Sequence, residues 1–272
     1  MQTQRISASS YSNTAPLIWS FLYGSNRGKY EMILDNAPAR SAELLSQNRV
    51  DAALVPVIAY QLLEDIRLIP NVCVGAKEKV KSVCLVTKGE DLQKVKTVSL
   101  DVSSKTSVAL TKIIFREFLG FEPVWKDSAP NVEKMLSESD CALLIGDPAL
   151  MISDLGLRIA EFEVRKFDLA ELWKSYTNFG FVFAMWMANA EKAETAKKID
   201  FASARDEGLA HLDEIISNYQ SEIHLSHQEF RNYLTENIAF EIDDSMQKGL
   251  ELYFNLAHKN GLIENLKPLN FI

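Results

Sequence analysis

The sequence predicts an α/β protein of two lobes, each a mixed, mainly parallel β-sheet covered by helices. Over the first two thirds of its 272 residues, short apolar runs of β type alternate with amphipathic helical segments. Each change from β to α is short, which is typical of parallel strands joined by helices. Two long runs of β-forming residues, Val80–Lys88 and Phe181–Trp186, bracket a middle segment with its own βαβ pattern. We therefore expect two crossover strands with a cleft between the lobes, although one continuous sheet would give much the same pattern.

The first segment is predicted to form three strand–helix pairs. Its first helix begins at Asn13 or Thr14 and carries Pro16 in its first turn, where the missing N–H of proline is tolerated. The predicted strands are Arg5–Ser9, Tyr30–Asn36 and Ala52–Pro56, and the predicted helices are Ala15–Tyr23, Pro38–Asn48 and Val57–Leu63.

The middle segment repeats this alternation, and the last third is helical. The predicted middle strands are Thr97–Leu100, Pro123–Trp125 and Ala142–Ile145, and the helices are Val108–Leu119, Asn131–Ser137 and Pro148–Ser153. Near the end, Ser226 and Glu229 have the spacing of a capping box. A later helix is expected from Asp243 or Asp244 to near Asn260, with Gly261 in the left-handed position after it. We expect residues 1–86 and 186–272 to form the first lobe, and 87–185 the second.

Composition limits the partners that the chain can have. A formal net charge of −8 argues against nucleic acid and against an anionic membrane surface, since both need a basic face. A small anion is not excluded, because it responds to local donors more than to total charge.

The cysteines and the N-terminus favour a reducing compartment. The chain has three cysteines, and Cys84 and Cys141 lie in apolar strand-like runs, so both are expected in the core. The first residues lack the basic start and apolar core of a secretory signal. The longest apolar run, Phe181–Ala188, is too short to span a bilayer. A cytoplasmic location is expected if Met1 is the natural start.

Four turns follow predicted strands, where parallel α/β folds bind ligands. They are residues 9–14, the residues after Leu54–Pro56, residues 103–107 and residues 145–148. Hydroxyl and amide groups at the start of a helix favour a carboxylate or phosphate oxygen. For one such turn, an ordinary Ser/Thr cap is the commoner interpretation. Because each lobe has two of these turns, we expect a pocket for a small, oxygen-rich, anionic molecule.

The usual catalytic motifs are missing from these turns. All four histidines, His211, His224, His227 and His258, lie in the C-terminal helical region, and no third ligand at metal-binding spacing accompanies them, so neither a metal nor a cofactor is expected. Asp147 could be a base or bind a ligand hydroxyl, but a helix cap before Pro148 is the commoner role. Asp101 is likewise expected in a turn.

Several short motifs at these turns run in a fixed order through the first two thirds of the chain. They are Tyr11-x-Asn13-x-x-Pro16-Leu17, Asp51-Ala52-Ala53-Leu54-Val55-Pro56 with Tyr60, Lys81-Ser82-Val83-x-Leu85, Leu100-Asp101-x-x-Ser104-x-Thr106-Ser107, Leu144-Ile145-Gly146-Asp147-x-Ala149-Leu150, Asp168-Leu169 with Trp173, and Phe181-Val182-Phe183-Ala184-x-Trp186. Together they resemble the menaquinone-pathway chorismate dehydratases, relatives of periplasmic binding proteins with the type II two-lobed fold. One departure is Thr177-Asn178-Phe179-Gly180, where the family usually carries Thr-Gly-Leu-Pro.

The resemblance implies a reaction and a set of residues for it. The reaction removes water from chorismate to give 3-[(1-carboxyvinyl)oxy]benzoate in the futalosine route to menaquinone, without metal or cofactor. By matching position, Asn13 and Ser82 are the expected catalytic residues, and the side-chain carboxylate of the substrate is the expected proton acceptor. The expected binding residues for this dianion are Ser10, Tyr11, Pro56, Ser104, Thr106, Ser107, Gly146 and Asp147. The protein is expected to be a monomer or a homodimer.

Two other functions stay open at this point. A sibling enzyme that makes 1,4-dihydroxy-6-naphthoate uses a histidine in the second lobe, whereas this chain has no histidine before His211. A non-catalytic cytoplasmic protein that binds small anions would show the same pattern of turns.

Overall fold

Two separate five-stranded sheets form the framework of the chain in a computed structural model, which describes residues 3–35, 38–152, 158–159 and 162–272. The strands are β1 (Arg5–Ser9), β2 (Glu31–Asp35), β3 (Ala52–Pro56), β4 (Ile66–Ala76), β5 (Val83–Thr87), β6 (Thr97–Asp101), β7 (Val124–Ser128), β8 (Cys141–Ile145), β9 (Arg158–Ile159), β10 (Phe162–Glu163), β11 (Arg165–Asp168) and β12 (Phe181–Asn189). The α-helices are α1 (Ala15–Leu22), α2 (Pro38–Ser46), α3 (Ala59–Leu62), α4 (Lys105–Ile113), α5 (Val132–Glu138), α6 (Gly146–Leu150), α7 (Leu169–Thr177), α8 (Ala193–Ala196), α9 (Phe201–Ala210), α10 (Leu212–Tyr219), α11 (His227–Asn232) and α12 (Asp244–Lys259).

Each sheet is mixed, with one strand reversed. The first has the order β2-β1-β3-β12-β4, in which β12 runs antiparallel to both of its neighbours. The second has the order β11-β5-β8-β6-β7, in which β5 is the reversed strand. The remaining strands of each sheet run in one direction. The prediction of two mainly parallel sheets is therefore confirmed, and the alternative of one continuous sheet is wrong.

The changes between the sheets fall at two short segments, residues 77–82 and 178–180. The runs taken as crossover strands do not cross, because β5 pairs only in the second sheet and β12 pairs only in the first. The predicted boundaries after 86 and after 185 would cut both strands, so the strand pairing puts the changes a few residues earlier. The division into the two predicted lobes stays a prediction.

Most predicted elements are present, with ends shifted by a few residues. β1 and β3 have the predicted bounds, and Ser226 with Glu229 forms the expected capping box. Asp243 caps α12, and Gly261 has a φ of 65°. The predicted strand end at Asn36 and helix end at Ser153 lie outside the described residues.

Strand β4 was not predicted from the sequence. Its apolar pattern is interrupted by Pro70 and by Asn71, which has a φ of 63°. β4 lies at the edge of its sheet and pairs with β12 through two register shifts. A proline is tolerated in such an edge strand because its missing N–H breaks no ladder hydrogen bond.

The helix after β6 begins three residues earlier than predicted. Ser104 is its N-cap, and the Ser104 side chain accepts a hydrogen bond from the Ser107 N–H. After Ile113 the helix continues as a π-helical segment, Ile114–Leu119, and ends at Gly120, whose φ of 79° suits glycine.

The C-terminal helices pack on both sheets. Helix α9 lies against α1 so closely that a Cβ on Gly208 would stand 2.0 Å from the Pro16 carbonyl oxygen. Helix α12 contacts β12 of the first sheet and α4 beside the second. The Tyr253 hydroxyl of α12 donates to the Thr106 carbonyl oxygen at 3.1 Å. The C-terminal region therefore helps to set the position of the two sheets relative to each other.

Cys84 and Cys141 are buried in the second sheet, as predicted. Burial raises the pKa of the Cys141 thiol well above its usual range. Within the described ranges, every helix is too short or too polar to span a membrane.

Candidate functional site

A narrow cavity of about 60 Å³ lies where the loops of the two sheets meet. Its floor comes from strands β3, β4, β5 and β12, and its walls come from the loops that follow β1, β6 and β8. The lining residues are Ser9, Tyr11, Asn13, Thr14, Leu54, Pro56, Val74, Val83, Ser104, Ser107, Ile145, Gly146, Phe183 and Ala184. The cavity is therefore polar along its loops and apolar along its floor.

The loop after β1 forms the wall on the first sheet. Residues 12–14 make a single 3-10 turn before α1. The Thr14 hydroxyl donates to the carbonyl oxygens of Ser9 and Tyr11, at 2.6 and 2.7 Å. These bonds hold the loop closed, so that the Asn13 side chain lines the cavity at the start of α1.

The wall on the second sheet is the start of α4. The Ser104 hydroxyl donates to the Ser107 hydroxyl at 3.1 Å and accepts from the Ser107 N–H at 3.3 Å. Both side chains line the cavity. Two hydroxyls at the positive end of a helix dipole favour an anionic oxygen.

Thr106 does not line the cavity. Its hydroxyl oxygen accepts a hydrogen bond from the Ile58 N–H of the first-sheet loop, at 3.3 Å. This bond crosses between the loops of the two sheets. The Thr106 side chain therefore links the loop after β3 to the start of α4, and it does not face the cavity.

Asp147 makes a second bond across the cleft. Its carboxylate accepts from the Ser12 hydroxyl at 2.5 Å and from the Ser12 N–H at 3.3 Å. The predicted cap role of Asp147 is wrong, because α6 begins at Gly146 with Ile145 as its N-cap, and Asp147 lies inside the first turn. Burial raises the pKa of the Asp147 carboxyl, and the bonds from Ser12 oppose that rise.

Gly146 gives the cleft its third contact between the two sides. Its φ of 64° suits glycine, and a Cβ there would stand 3.2 Å from the ring of Tyr11. The Tyr11 ring therefore lies flat against the start of α6. Burial raises the pKa of the Tyr11 phenol, while a hydrogen bond with Ser103 lowers it.

Asp101 closes the turn before α4, as predicted. Its Oδ1 accepts from the Ser103 N–H at 3.0 Å and from the Ser103 hydroxyl at 2.5 Å. Burial raises the pKa of the Asp101 carboxyl, and the bonds from Ser103 oppose this.

Ser82 lies just before β5, in the segment that connects the two sheets (residues 77–82, the crossover segment), and is fully buried. Asp168 holds this segment: its carboxylate accepts from the Val80 N–H at 3.1 Å and from the Lys81 N–H at 2.5 Å. The same carboxylate caps α7 through Ala170 and Glu171. One buried side chain thus joins the crossover to a helix and sets where Ser82 lies.

Two tyrosines from the C-terminal helices reach the site, and no pattern in their neighbourhood indicated this. The Tyr219 hydroxyl donates to the Ser10 carbonyl oxygen at 3.0 Å. Burial, with the charges of Asp147 and Glu222, raises the pKa of Tyr219 to about 12. Tyr233 is buried beside Asn13 and Ser82, whose side chains lower the pKa of its phenol while burial raises it by more.

Six of the predicted site residues line the cavity, and four lie around it. The lining ones are Tyr11, Asn13, Pro56, Ser104, Ser107 and Gly146; the surrounding ones are Ser10, Ser82, Thr106 and Asp147. The side chains of Asn13 and Ser82 both lie next to the Tyr233 phenol. The roles of all ten stay predictions. Within the described part of the chain, no cluster of His, Cys, Asp and Glu could hold a metal ion.

Comparison with known proteins shows that nearly the whole chain matches one protein family. Residues 4–259 match the sequence model of a family described as menaquinone biosynthesis. A chorismate dehydratase of Thermus thermophilus is 30% identical over 257 residues, which cover 89% of this chain and 91% of that protein.

Solved structures share the two-sheet framework at low sequence identity. A protein of Archaeoglobus fulgidus is 17% identical, with a TM-score of 0.74 over 95% of this chain and 98% of that one. A Candida albicans protein described as having the generic periplasmic binding protein fold is 14% identical, with a TM-score of 0.62 over 100% of this chain and 98% of that one. The predicted periplasmic-binding-protein-like fold is therefore confirmed.

Proposed function

This chain belongs to the menaquinone-biosynthesis family, and from that premise we propose that it is a chorismate dehydratase, a hydro-lyase that removes water from chorismate to give 3-[(1-carboxyvinyl)oxy]benzoate. The observation that carries the proposal is the cleft between Asn13 and the Ser104–Ser107 pair, which has polar donors on both walls. It agrees with the activity named for the Thermus thermophilus relative.

The donors suit a substrate with two carboxylates. Asn13 lies at the start of α1, and Ser104 and Ser107 lie at the start of α4, so two helix N-termini face one space. Each positive helix end favours an anionic oxygen. We assign one carboxylate to Ser104 and Ser107 and the other, with the reacting end of the ring, to Asn13 and Ser82.

The lining residues also agree with elimination in which the substrate supplies the base. The described lining contains no aspartate, glutamate, histidine or lysine, and its one titratable side chain is Tyr11, whose pKa is raised by burial. The side-chain carboxylate of chorismate therefore takes the ring proton as the neighbouring C–O bond breaks, and that proton passes to the departing hydroxyl, which leaves as water. The ring becomes aromatic, which drives the reaction, so the protein has to orient the substrate and stabilise its charge.

The test is to incubate the purified protein with chorismate, follow the loss of cyclohexadiene absorbance and identify the product by mass spectrometry. We expect a product lighter than chorismate by one water. Asn13→Ala and Ser82→Ala should each lower kcat by about 100-fold or more, the size of effect seen when one stabilising donor is lost from an active site.

Ser99→Ala is the matched control for Ser82→Ala. Ser99 is also a fully buried serine, but its hydroxyl bonds to Ser139 at 2.9 Å, away from the cleft. We expect it to keep its kcat. Binding of chorismate without turnover would instead identify a non-catalytic binding protein, and wild-type kcat in folded Asn13→Ala and Ser82→Ala would contradict the assigned roles.

A further inference from the structure

Tyr233 carries a buried hydroxyl at the point where Asn13 and Ser82 approach each other. No described residue meets hydrogen-bond geometry with its hydroxyl oxygen. The Asn13 and Ser82 side chains nevertheless lie near enough to lower the pKa of the phenol, although burial raises that pKa by more. They are therefore neighbours of the hydroxyl without a well-aligned bond to it. A buried hydroxyl left in this condition costs stability, so its presence calls for an explanation.

Tyr233 also lies at a change of helix type. Tyr233 begins a π-helical segment, Tyr233–Asn237, directly after α11. Segments of this kind occur often at functional sites, because the wider turn changes the direction of a side chain. Here such a segment begins at the residue whose hydroxyl lies behind the cleft.

We propose that Tyr233 is a positioning residue, which orients the Asn13 carboxamide and the Ser82 hydroxyl toward chorismate. When chorismate is bound, the Tyr233 O–H donates to the Asn13 carbonyl oxygen, and this leaves the Asn13 NH₂ group to donate into the cavity. The Ser82 hydroxyl, which lies 3.4 Å from the Val80 carbonyl oxygen, is beside the same phenol, so Tyr233 limits the positions that this side chain can take. Tyr233 does not line the cavity, so it acts through these two side chains. The inference rests on the proposed function, since chorismate is the molecule that these groups orient.

The phenol is suited to this role over the ordinary pH range. Since burial keeps its pKa above the usual value, the hydroxyl stays protonated and can donate at neutral pH. It is therefore a hydrogen-bond donor here, and no proton transfer is assigned to it.

The test compares Tyr233→Phe with wild type in kcat, KM and melting temperature. We expect kcat to fall about 10- to 100-fold, because small errors in orientation are costly, while KM changes less than about threefold. The melting temperature should stay the same or rise, since the buried hydroxyl has no well-aligned partner to lose. A tyrosine with a purely structural role would not give lower kcat together with equal or higher stability.

Tyr60→Phe is the matched control, because Tyr60 is also buried and its hydroxyl donates to the Pro268 carbonyl oxygen. It should lower the melting temperature and leave kcat unchanged. Tyr233→Met is a second variant without the hydroxyl, since methionine fills irregular gaps. It should show the same loss of kcat even if phenylalanine disturbs the packing.

A double variant tests whether Tyr233 acts through Asn13. Asn13→Ala with Tyr233→Phe should lose no more than about threefold beyond Asn13→Ala alone, because groups that act as a unit are not additive. Fully additive losses, or unchanged kcat in folded Tyr233→Phe or Tyr233→Met, would overturn the inference and leave the proposed function standing. A wild-type protein that does not turn over chorismate would remove both.

Discussion

At the scale of single residues, the cleft depends on a few polar side chains whose partners lie far away in the chain. Ser12 and Asp147 are separated by 135 residues, and yet they form the shortest bond across the cleft, at 2.5 Å between the hydroxyl and a carboxylate oxygen. The sequence could place each of them in a turn after a strand. It could not pair them, because their contact depends on how two sheets pack.

The raised pKa of Asp147 gives a prediction about stability and pH. A carboxyl whose pKa is higher in the folded state adds stability that is present at low pH and is lost as pH rises through the folded-state pKa. We therefore expect wild type to gain stability relative to Asp147→Asn on going from about pH 7 to about pH 4. Urea unfolding of both proteins at the two values measures this.

Ser12→Ala is the companion variant for that measurement. The Ser12 hydroxyl favours the ionised carboxylate, so its loss should raise the pKa of Asp147 further. Ser12→Ala should therefore lose more stability at neutral pH than in acid. A stability difference between wild type and Asp147→Asn that does not vary with pH would show that the ionised carboxylate is as stable in the fold as in water.

At the scale of elements, the segment that leads from the first sheet to β5, residues 77–82, is held by the side chain that caps helix α7. Asp168 ends β11, caps α7 and also accepts from the Val80 and Lys81 N–H groups. Sequence patterns indicated neither β11 nor α7, because β11 has only four residues and three of them are charged. The position of the segment that carries Ser82 could therefore not be predicted from its neighbouring residues in the sequence.

Asp168→Ala should be strongly destabilising. Buried N–H groups on two segments would lose their acceptor, and we expect the free energy of unfolding to fall by about 3 kcal/mol or more. The kcat for chorismate should fall as well, because Ser82 directly follows Lys81. Urea denaturation and steady-state kinetics measure the two effects.

Asp200→Ala is the control for Asp168→Ala. Asp200 caps α9 in the same way but is exposed and holds no second segment. Its loss should cost about 1 kcal/mol, as for an ordinary N-cap, with no change in kcat. An equal loss of unfolding free energy in the two variants would mean that the bonds from Asp168 to the Val80 and Lys81 N–H groups do not contribute to stability.

At the scale of the whole molecule, the two sides of the cleft are in contact. Bonds join Ser12 to Asp147 and Ile58 to Thr106, and the Tyr11 ring lies on Gly146. The cavity between them, about 60 Å³, is several times smaller than ligand pockets, which are roughly 300–1,000 Å³. A molecule of the size of chorismate can bind only if the two sides move apart.

A reversible cross-link tests this opening. Ser12→Cys with Asp147→Cys places two thiols at the shortest contact across the cleft, and oxidation is used to join them. The oxidised protein should lose at least about tenfold in turnover of chorismate, because the cleft cannot open, and a thiol reductant should restore it. The reduced double variant is the reference for the two substitutions themselves. Full turnover by the disulfide-bonded form would contradict the need for opening.

The sequence by itself determined most of the alternation of strands and helices and the loops that hold the polar groups, but the division into two sheets came from the tertiary structure. The alternation and the loops follow from apolar periodicity and from capping residues, which act over a few neighbouring positions, as at β1, β3 and the helix that Asp243 caps. Only the tertiary structure decided that Asp147 bonds to Ser12, that Thr106 joins the two walls and that Tyr233 stands behind Asn13. Those contacts join residues far apart in the chain, and their geometry comes from the packing of whole sheets and helices.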